Sequence, residues 1–253
     1  MLLCVDIGNT NIVFALSDGE KIISKRRIST RIEMTSDELE MILLFFFKNK
    51  KQISDVIFSS VVPPLNPILK EAIFRYTGKF PTLVSPEMNL GIDILYEEIE
   101  KLGLDRIVNV VGAYYKYKKG AIIIDFGTAT TFDYISSDGK YLGGAISPGL
   151  KICADALYEK AYQLPKIQIF QVPKNVIAKK TETSISAGLI LGYASLVDGM
   201  IEKIRQEADD KDAITIATGG LSHVMKEACK YIDIIDDDLT IYGLITIHRL
   251  NKK

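Results

Sequence analysis

Met1-Leu2-Leu3-Cys4-Val5-Asp6-Ile7-Gly8-Asn9-Thr10 runs from an apolar stretch into an acid and then into a Gly-Asn-Thr turn. A short apolar run of this kind reads as a strand buried on both faces. The acid at its carboxyl end stands where open α/β sheets place their ligands. Gly8 lets backbone approach a bound group, Asn9 tolerates unusual dihedrals, and Thr10 adds a hydroxyl. The stretch predicts an acidic, amide-lined pocket suited to a metal-bound phosphate.

The pattern recurs in the second half. Ala121-Ile122-Ile123-Ile124-Asp125-Phe126-Gly127-Thr128 is again an apolar run followed by Asp-x-Gly-Thr. Downstream, Phe14-Ala15-Leu16-Ser17-Asp18-Gly19 is matched with Asp133-Tyr134-Ile135-Ser136-Ser137-Asp138-Gly139. Asp-Gly between alternating runs signals a hairpin. Asp6 and Asp125 lie 119 positions apart, and Gly19 and Gly139 lie 120 apart. A half-chain repeat follows, with two similar lobes, residues 1–118 and 119–253, and a cleft between them.

The bulk properties exclude several classes. The 253 residues are 47% hydrophobic and 25% charged, ordinary values for a soluble globular protein. A net charge of −1 argues against nucleic acid as a partner. Cys4, Cys153 and Cys229 are scattered, and Cys4 falls inside the first strand, so a reducing, cytoplasmic setting is expected. Met41 to Phe47 falls short of the roughly 20 residues that span a bilayer. Ser184 to Ile204 is longer, but Asp198, Glu202 and Lys203 crowd its end, so no membrane partner is expected.

Along the first half, Thr35 and Glu38 form a capping box that predicts a helix to about Lys48. Val56 to Ser60 predicts a strand, Pro63-Pro64 an extended loop, Pro67 to Tyr76 a helix, and Thr82 to Val84 a short strand. The order reads β-hairpin-β-α-β-α-β. Gly91 to Leu104 is an irregular acidic segment, followed by a helix from about Asp105 to Tyr117. In the second half, a helix follows Gly149, and Leu164 to Lys180 is loop-like. A long helix interrupted by glycines runs from about Thr183 to Ala208, with Gly188 and Gly192 on one face for close helix approach. Ile214 to Ala217 is a strand ending in Thr218-Gly219-Gly220, and a terminal helix follows Asp238.

No P-loop or Gly-x-Gly-x-x-Gly fingerprint occurs. His223 and His248 are isolated, which leaves no zinc ligand set and no Ser-His-Asp triad. Three carboxylates remain: Asp6, Asp105 and Asp125. Two loops, each with an acid and a Gly-Thr turn, supply what phosphoryl transfer needs: positioning donors and a site for a hard cation. Mg²⁺ keeps several waters, so one or two aspartates suffice, and amides after Gly8 and Gly127 can hold phosphate oxygens. Gly219-Gly220 offers a flat surface for a nucleotide base or ribose, or simply a tight turn. Asp105, after a glycine and before Arg106, reads either as a helix cap or as a general base beside a cation that clamps an anionic substrate.

Asp6-Ile7-Gly8-Asn9-Thr10 with Asp125-Phe126-Gly127-Thr128 resembles the duplicated core of the acetate kinase, sugar kinase, Hsp70 and actin superfamily. Gly103-Leu104-Asp105-Arg106, Asn109, Ser60-Val61-Val62-Pro63, Gly143-Gly144 through Gly149 and Thr218-Gly219-Gly220 narrow the resemblance to the type III pantothenate kinases. The resemblance implies an α/β fold of two ribonuclease H-like lobes and ATP-dependent phosphorylation of pantothenate, the first step of coenzyme A biosynthesis. Asp105 is then the proton acceptor, and Gly103, Leu104, Asp105 and Arg106 line the pantothenate pocket with Tyr96 and Thr181. Asp6, Ile7, Gly8, Asn9, Thr10, Asn11 and Thr128 bind ATP phosphates with Mg²⁺. Asp125 ligates a monovalent cation, K⁺ or NH₄⁺. The resemblance also implies a homodimer, with Thr181 reaching the neighbouring subunit's site. Ile99 departs from the family's proline, and Thr183, Ser184 and Ala187 depart from its pattern after Thr181. Alternatives are another small-molecule kinase or phosphatase of the superfamily, or a non-catalytic transcription accessory protein.

Overall fold

A computed structural model describes residues 1–47, 53–168 and 171–252. The chain groups into two compact units. The first comprises Met1–Ile92, Glu97–Tyr115 and Leu239–Lys253, and the second Asp93–Tyr96 and Lys116–Asp238. The terminal segment therefore belongs with the first half of the sequence.

In the first unit, β1 (Leu2–Ile7), β2 (Asn11–Ser17), β3 (Ile22–Ser29), β4 (Asp55–Ser60) and β5 (Thr82–Leu83) form one sheet in the order β3-β2-β1-β4-β5. β1 pairs antiparallel with β2 and parallel with β4. Leu3, Val5, Ile7, Phe14 and Phe58 point into a core shared with α1 (Ser36–Phe46) and α2 (Asn66–Thr77). The Thr35–Glu38 capping box is present at the start of α1. The helix closes at Phe46, and Lys48 lies outside the described residues. Pro63–Leu65 is a single 3-10 turn, not an extended loop, because a proline φ near −65° suits both conformations.

In the second unit, β6 (Asp93–Ile94), β7 (Ala121–Phe126), β8 (Ala129–Ile135), β9 (Lys140–Pro148), β10 (Ile214–Thr218) and β11 (Ile234–Ile235) form a sheet in the order β11-β10-β7-β8-β9-β6. With β6 set aside, the two sheets have the same order and the same strand directions. The core of this unit takes one stripe of α5 (Thr181–Glu207), through Ile190, Ala194, Val197 and Ile201. α5 is long and apolar enough to cross a bilayer by length and composition alone. It is unbroken by its glycines. A Cβ at Gly188, Gly192 or Gly199 would meet nothing within 4 Å among the described residues, so these glycines are not closely packed by another helix there.

The register corrects the alignment of the halves. Four residues, Gly8 to Asn11, separate the paired Ile7 and Ile12, whereas three, Gly127 to Ala129, separate Phe126 and Thr130. Phe14 is therefore the counterpart of Phe132, not of Asp133. The two hairpin turns are equally long, but Asp-Gly occupies the first two positions of one and the last two of the other. Both hairpins carry an irregularity at the same place, Leu16/Ser17 and Tyr134/Ile135.

Among the described residues four further helices complete the order: α3 (Leu104–Tyr117), α4 (Leu150–Lys160), α6 (Ser222–Ala228) and the terminal α7 (Leu239–Asn251). α7 packs on β1 and β4, and α3 meets it backbone to backbone. A Cβ at Gly243 would lie 2.1 Å from the Val108 carbonyl oxygen, and one at Gly112 would lie 2.7 Å from that of Leu239. Overpacking of this kind costs about 1–3 kcal/mol. Gly243→Ala should therefore lower Tm by roughly 2–12 °C. Gly199→Ala, at an open helical position, should raise it slightly. Calorimetric melting of both variants checks the contrast.

Candidate active site

The first candidate loop owes its form to cross-strand register. Asp6 pairs with Ser59 on β4 and Val13 on β2, and Val13 pairs with Arg27 on β3. Residues directly opposite share a face, so Ser59, Asp6, Val13 and Arg27 form one row across the sheet. Asp6 stands on the face opposite Val5 and Ile7, which point into the core. The Ser59 hydroxyl donates to Asp6 Oδ1 at 2.7 Å. Burial pushes the Asp6 carboxyl up to about 6; the Ser59 bond opposes the shift, the Asp105 charge adds to it, and Arg27 opposes it. Asp105 thus lies close enough to Asp6 for their charges to repel.

Beyond Asp6 the chain turns, with the Gly8 amide donating to the Asn11 carbonyl at 2.9 Å. Thr30, at the end of β3, braces this turn. Its hydroxyl donates to the Gly8 carbonyl at 2.6 Å and its amide to the Thr10 carbonyl at 2.9 Å. Asn9 and Thr10 are left exposed at the tip. The sequence reading did not single out Ser59, Thr30 or Arg27. Their roles arise from pairing between distant segments, and the local signal is no more than a polar residue near the end of each strand.

Asp105 is half-buried in the first turn of α3, one residue inside its start. Its Oδ1 accepts the Arg106 amide at 2.8 Å. A Cβ at Gly103 would lie 2.5 Å from that same Oδ1, so glycine here leaves the carboxylate its place. Arg106 is buried, with 4% exposure. Asn109 is buried as well, and its Oδ1 accepts the Thr240 hydroxyl of α7 at 2.7 Å.

In the second unit Asp125 ends β7 beside Thr218 on β10 and Thr131 on β8. Gly219, at φ +88°, passes over it, and a Cβ there would fall 2.5 Å from Asp125 Oδ1. Thr128 is exposed at the loop tip, and its carbonyl accepts the Gly149 amide at 3.1 Å. Asp125, Gly127, Thr128 and Gly219 are thus gathered, with Gly220 exposed beside them. Tyr96 belongs to this unit. Its half-buried ring lies parallel to that of Tyr141, centroids 6.4 Å apart, and the Tyr141 hydroxyl donates to the buried Asp133 at 2.6 Å. The link rests on the two-residue β6, which pairs with β9 inside the segment expected to be irregular. Thr181 stands apart at the exposed start of α5, lining an apolar groove with Leu157, Leu164, Ile185, Gly188 and Leu189.

A carboxylate with a hydroxyl donor and a loop of exposed polar residues suits Mg²⁺, a hard cation that favours oxygen ligands. Among the described residues no cluster of three or more His, Cys, Asp or Glu could hold a metal by itself. A single carboxylate fits an ion that its phosphate ligand largely carries. Asp125 likewise offers an oxygen donor of the kind a monovalent cation takes.

Because the Asp6 carboxyl in the native state stays protonated up to about pH 6, folding favours its acid form. Its share of the stability falls as pH rises from about 4 to about 6, and the site gains its negative charge only above that. Ser59→Ala removes a donor to the ionised form and should move this titration above 6. Carboxyl ¹³C chemical shifts followed against pH check it, and an unchanged or lower midpoint would contradict the reading.

The sequence profile of type III pantothenate kinases matches residues 2–203. A type III pantothenate kinase from Syntrophus aciditrophicus is 44% identical over 256 residues, covering all of both chains. Two solved structures share the fold. A Campylobacter jejuni protein described as a candidate Baf-family transcriptional activator superposes with a TM-score of 0.64 at 22% identity, covering 98% of each chain. A ROK-family glucokinase from Streptomyces griseus, solved with glucose and AMPPNP, superposes with a TM-score of 0.57 at 13% identity, covering 99% of each. The fold they share is α/β, and in this chain the five-strand order of one sheet recurs in the other. With a profile match over most of its length and a relative alike from end to end, the chain belongs to the type III pantothenate kinases, ATP-dependent phosphotransferases that phosphorylate pantothenate in coenzyme A biosynthesis.

Proposed function

We propose that Asp105 is the general base in the phosphorylation of pantothenate to 4'-phosphopantothenate, and that the Asp6 loop presents the phosphoryl donor to it. The observation that supports this reading is that Asp105 stands near enough to Asp6 for its charge to help raise the Asp6 carboxyl. Asp105 receives the hydroxyl proton late, as the phosphoryl group moves. An ordinary carboxylate is a modest base, so positioning and charge neutralisation supply most of the rate.

The other roles divide between the halves 1–118 and 119–253, each with one phosphate loop. Asp6, Ile7, Gly8, Asn9, Thr10 and Asn11 take ATP phosphates, and Asp6 holds Mg²⁺ through them. Thr128 takes phosphate from the second loop, Gly219 and Gly220 receive the nucleoside, and Asp125 holds K⁺ or NH₄⁺. Mg²⁺ supplies charge neutralisation on the phosphates when bound. Gly103, Leu104 and Arg106 line the pantothenate pocket with Tyr96. A buried guanidinium is a preorganised partner for the substrate carboxylate. Asp105→Asn should lower kcat by about 10²–10⁴-fold and leave Mg-ATP affinity nearly unchanged. Coupled ADP release and titration calorimetry check this, and a folded variant with near-full turnover would exclude Asp105 as the base.

We infer a homodimer in which Thr181 completes the partner's site, and a cytoplasmic setting. The support for the dimer is the exposed apolar surface of α4 (Leu150–Lys160) and α5, through Ile152, Leu157, Tyr158 and Leu196, together with the open glycine face of α5. Light scattering should give twice the chain mass. Gly188→Leu, which places bulk on that face, should shift it toward the monomer; a wild-type monomer would refute the inference.

A further inference from the structure

Arg27 stands at the end of the row that begins with Ser59 and Asp6. It pairs with Val13, and Val13 pairs with Asp6, so Arg27 and Asp6 are two strand spacings apart, about 10 Å between backbones. A long guanidinium side chain and one phosphate group together fill such a span. Val13 between them is only half-buried, and Arg27 is exposed. Ile28, its neighbour on β3, turns to the core with Val5 and Ile7, so Arg27 lies on the Asp6 face. Arg26 differs: it pairs with Phe14, and its guanidinium donates to the Lys25 carbonyl at 3.0 Å.

The charge on this face makes a cation there consequential. Asp6 and Asp105 each bring a carboxylate. A phosphoryl group moving between them adds negative charge spread over three oxygens. The second unit has no such cation in the matching row, where the position of Arg27 is taken by Ile146, a residue 63% exposed.

We propose that Arg27 binds the transferring phosphoryl group on the Asp6 face, stabilising its charge as it passes to the hydroxyl held by Asp105. In that step the bond from the γ-phosphorus to the β,γ-bridging oxygen breaks and the bond to the pantothenate hydroxyl oxygen forms. The hydroxyl proton goes to Asp105, and ADP departs. The assignment rests on the reading of Asp6 and Asp105 given above. A planar, bidentate guanidinium suits three equatorial oxygens better than a point charge does.

Steady-state kinetics on Arg27→Met, Arg27→Lys and Arg26→Met test it, with thermal melting as the check on folding. Arg27→Met should lose roughly 100-fold or more in kcat, while KM for pantothenate stays within about threefold. Arg27→Lys should recover part of that loss. Added guanidinium chloride at low millimolar concentration should raise the rate of Arg27→Met and leave Asp105→Asn unaffected. Arg26→Met should behave as the parent. An Arg27→Met enzyme within about threefold of the parent kcat, or an equal loss in Arg26→Met, would overturn the proposal. If Asp105→Asn kept its turnover while Arg27→Met lost it, the base assignment would fail and the arginine would stand. The reverse pattern would remove the arginine alone.

Discussion

A carboxylate at the carboxyl end of a strand buried on both sides is the constraint on which this molecule turns. Asp6 follows four residues, Leu2 to Val5, that are almost wholly removed from solvent. Charge there is expensive unless something answers it. Ser59 answers in part, and the carboxyl still sits near 6, well above its ordinary range. A group held in that state favours a cation or a cation-bearing phosphate over water alone. The rest of the first unit serves this point: β4 brings Ser59, the end of β3 brings Thr30 to brace the loop, and α3 brings Asp105.

Duplication gives the second unit the same device with different tuning. Strand order and direction repeat, and both acids end the central strand of their sheet. Yet Thr218 replaces Ser59, Ile146 replaces Arg27, and the loop after the acid is one residue shorter. Gly219 folds over Asp125, whereas the first loop leaves its tip to Thr10 and Asn9. One backbone plan thus yields two unlike environments, a charged one beside Asp105 and a carbonyl-rich one beside Thr128. An enzyme that holds donor and acceptor by separate means has use for that asymmetry.

Much of this was legible in the sequence because its cause is local. The apolar run into Asp6, its repeat at Asp125, and the capping box of Thr35 and Glu38 depend on neighbours within a few positions. What escaped depends on register. Phe14 was matched with Asp133 since both follow an acid at equal spacing, and only pairing shows that one loop holds an extra residue. β6 is two residues long and carries no periodicity to read. Ser59 and Arg27 come to flank Asp6 through strands 53 and 21 positions away, which no motif anticipates. The spacing of Gly188 and Gly192 predicts a helix-packing face, yet among the described residues nothing comes within 4 Å of a Cβ placed at either.

The placement of Asp105 shows where such an enzyme obtains its precision. In the proposed role as base, its worth lies in position. That position is set by α3, and α3 is set by contact between glycine backbones at Gly112 and Gly243 and by the Thr240–Asn109 hydrogen bond. Backbone contacts have few rotamers to vary, so a helix seated on them holds its first turn with little play. The carboxylate is further confined by the Arg106 amide and by the space that Gly103 leaves. Each of these constraints lies outside the reacting atoms, and none carries charge. With Asp105 in the proposed role, the acid–base step depends on packing as much as on the carboxylate itself, and substitutions at Gly103 or Gly243 bear on its placement as well as on folding.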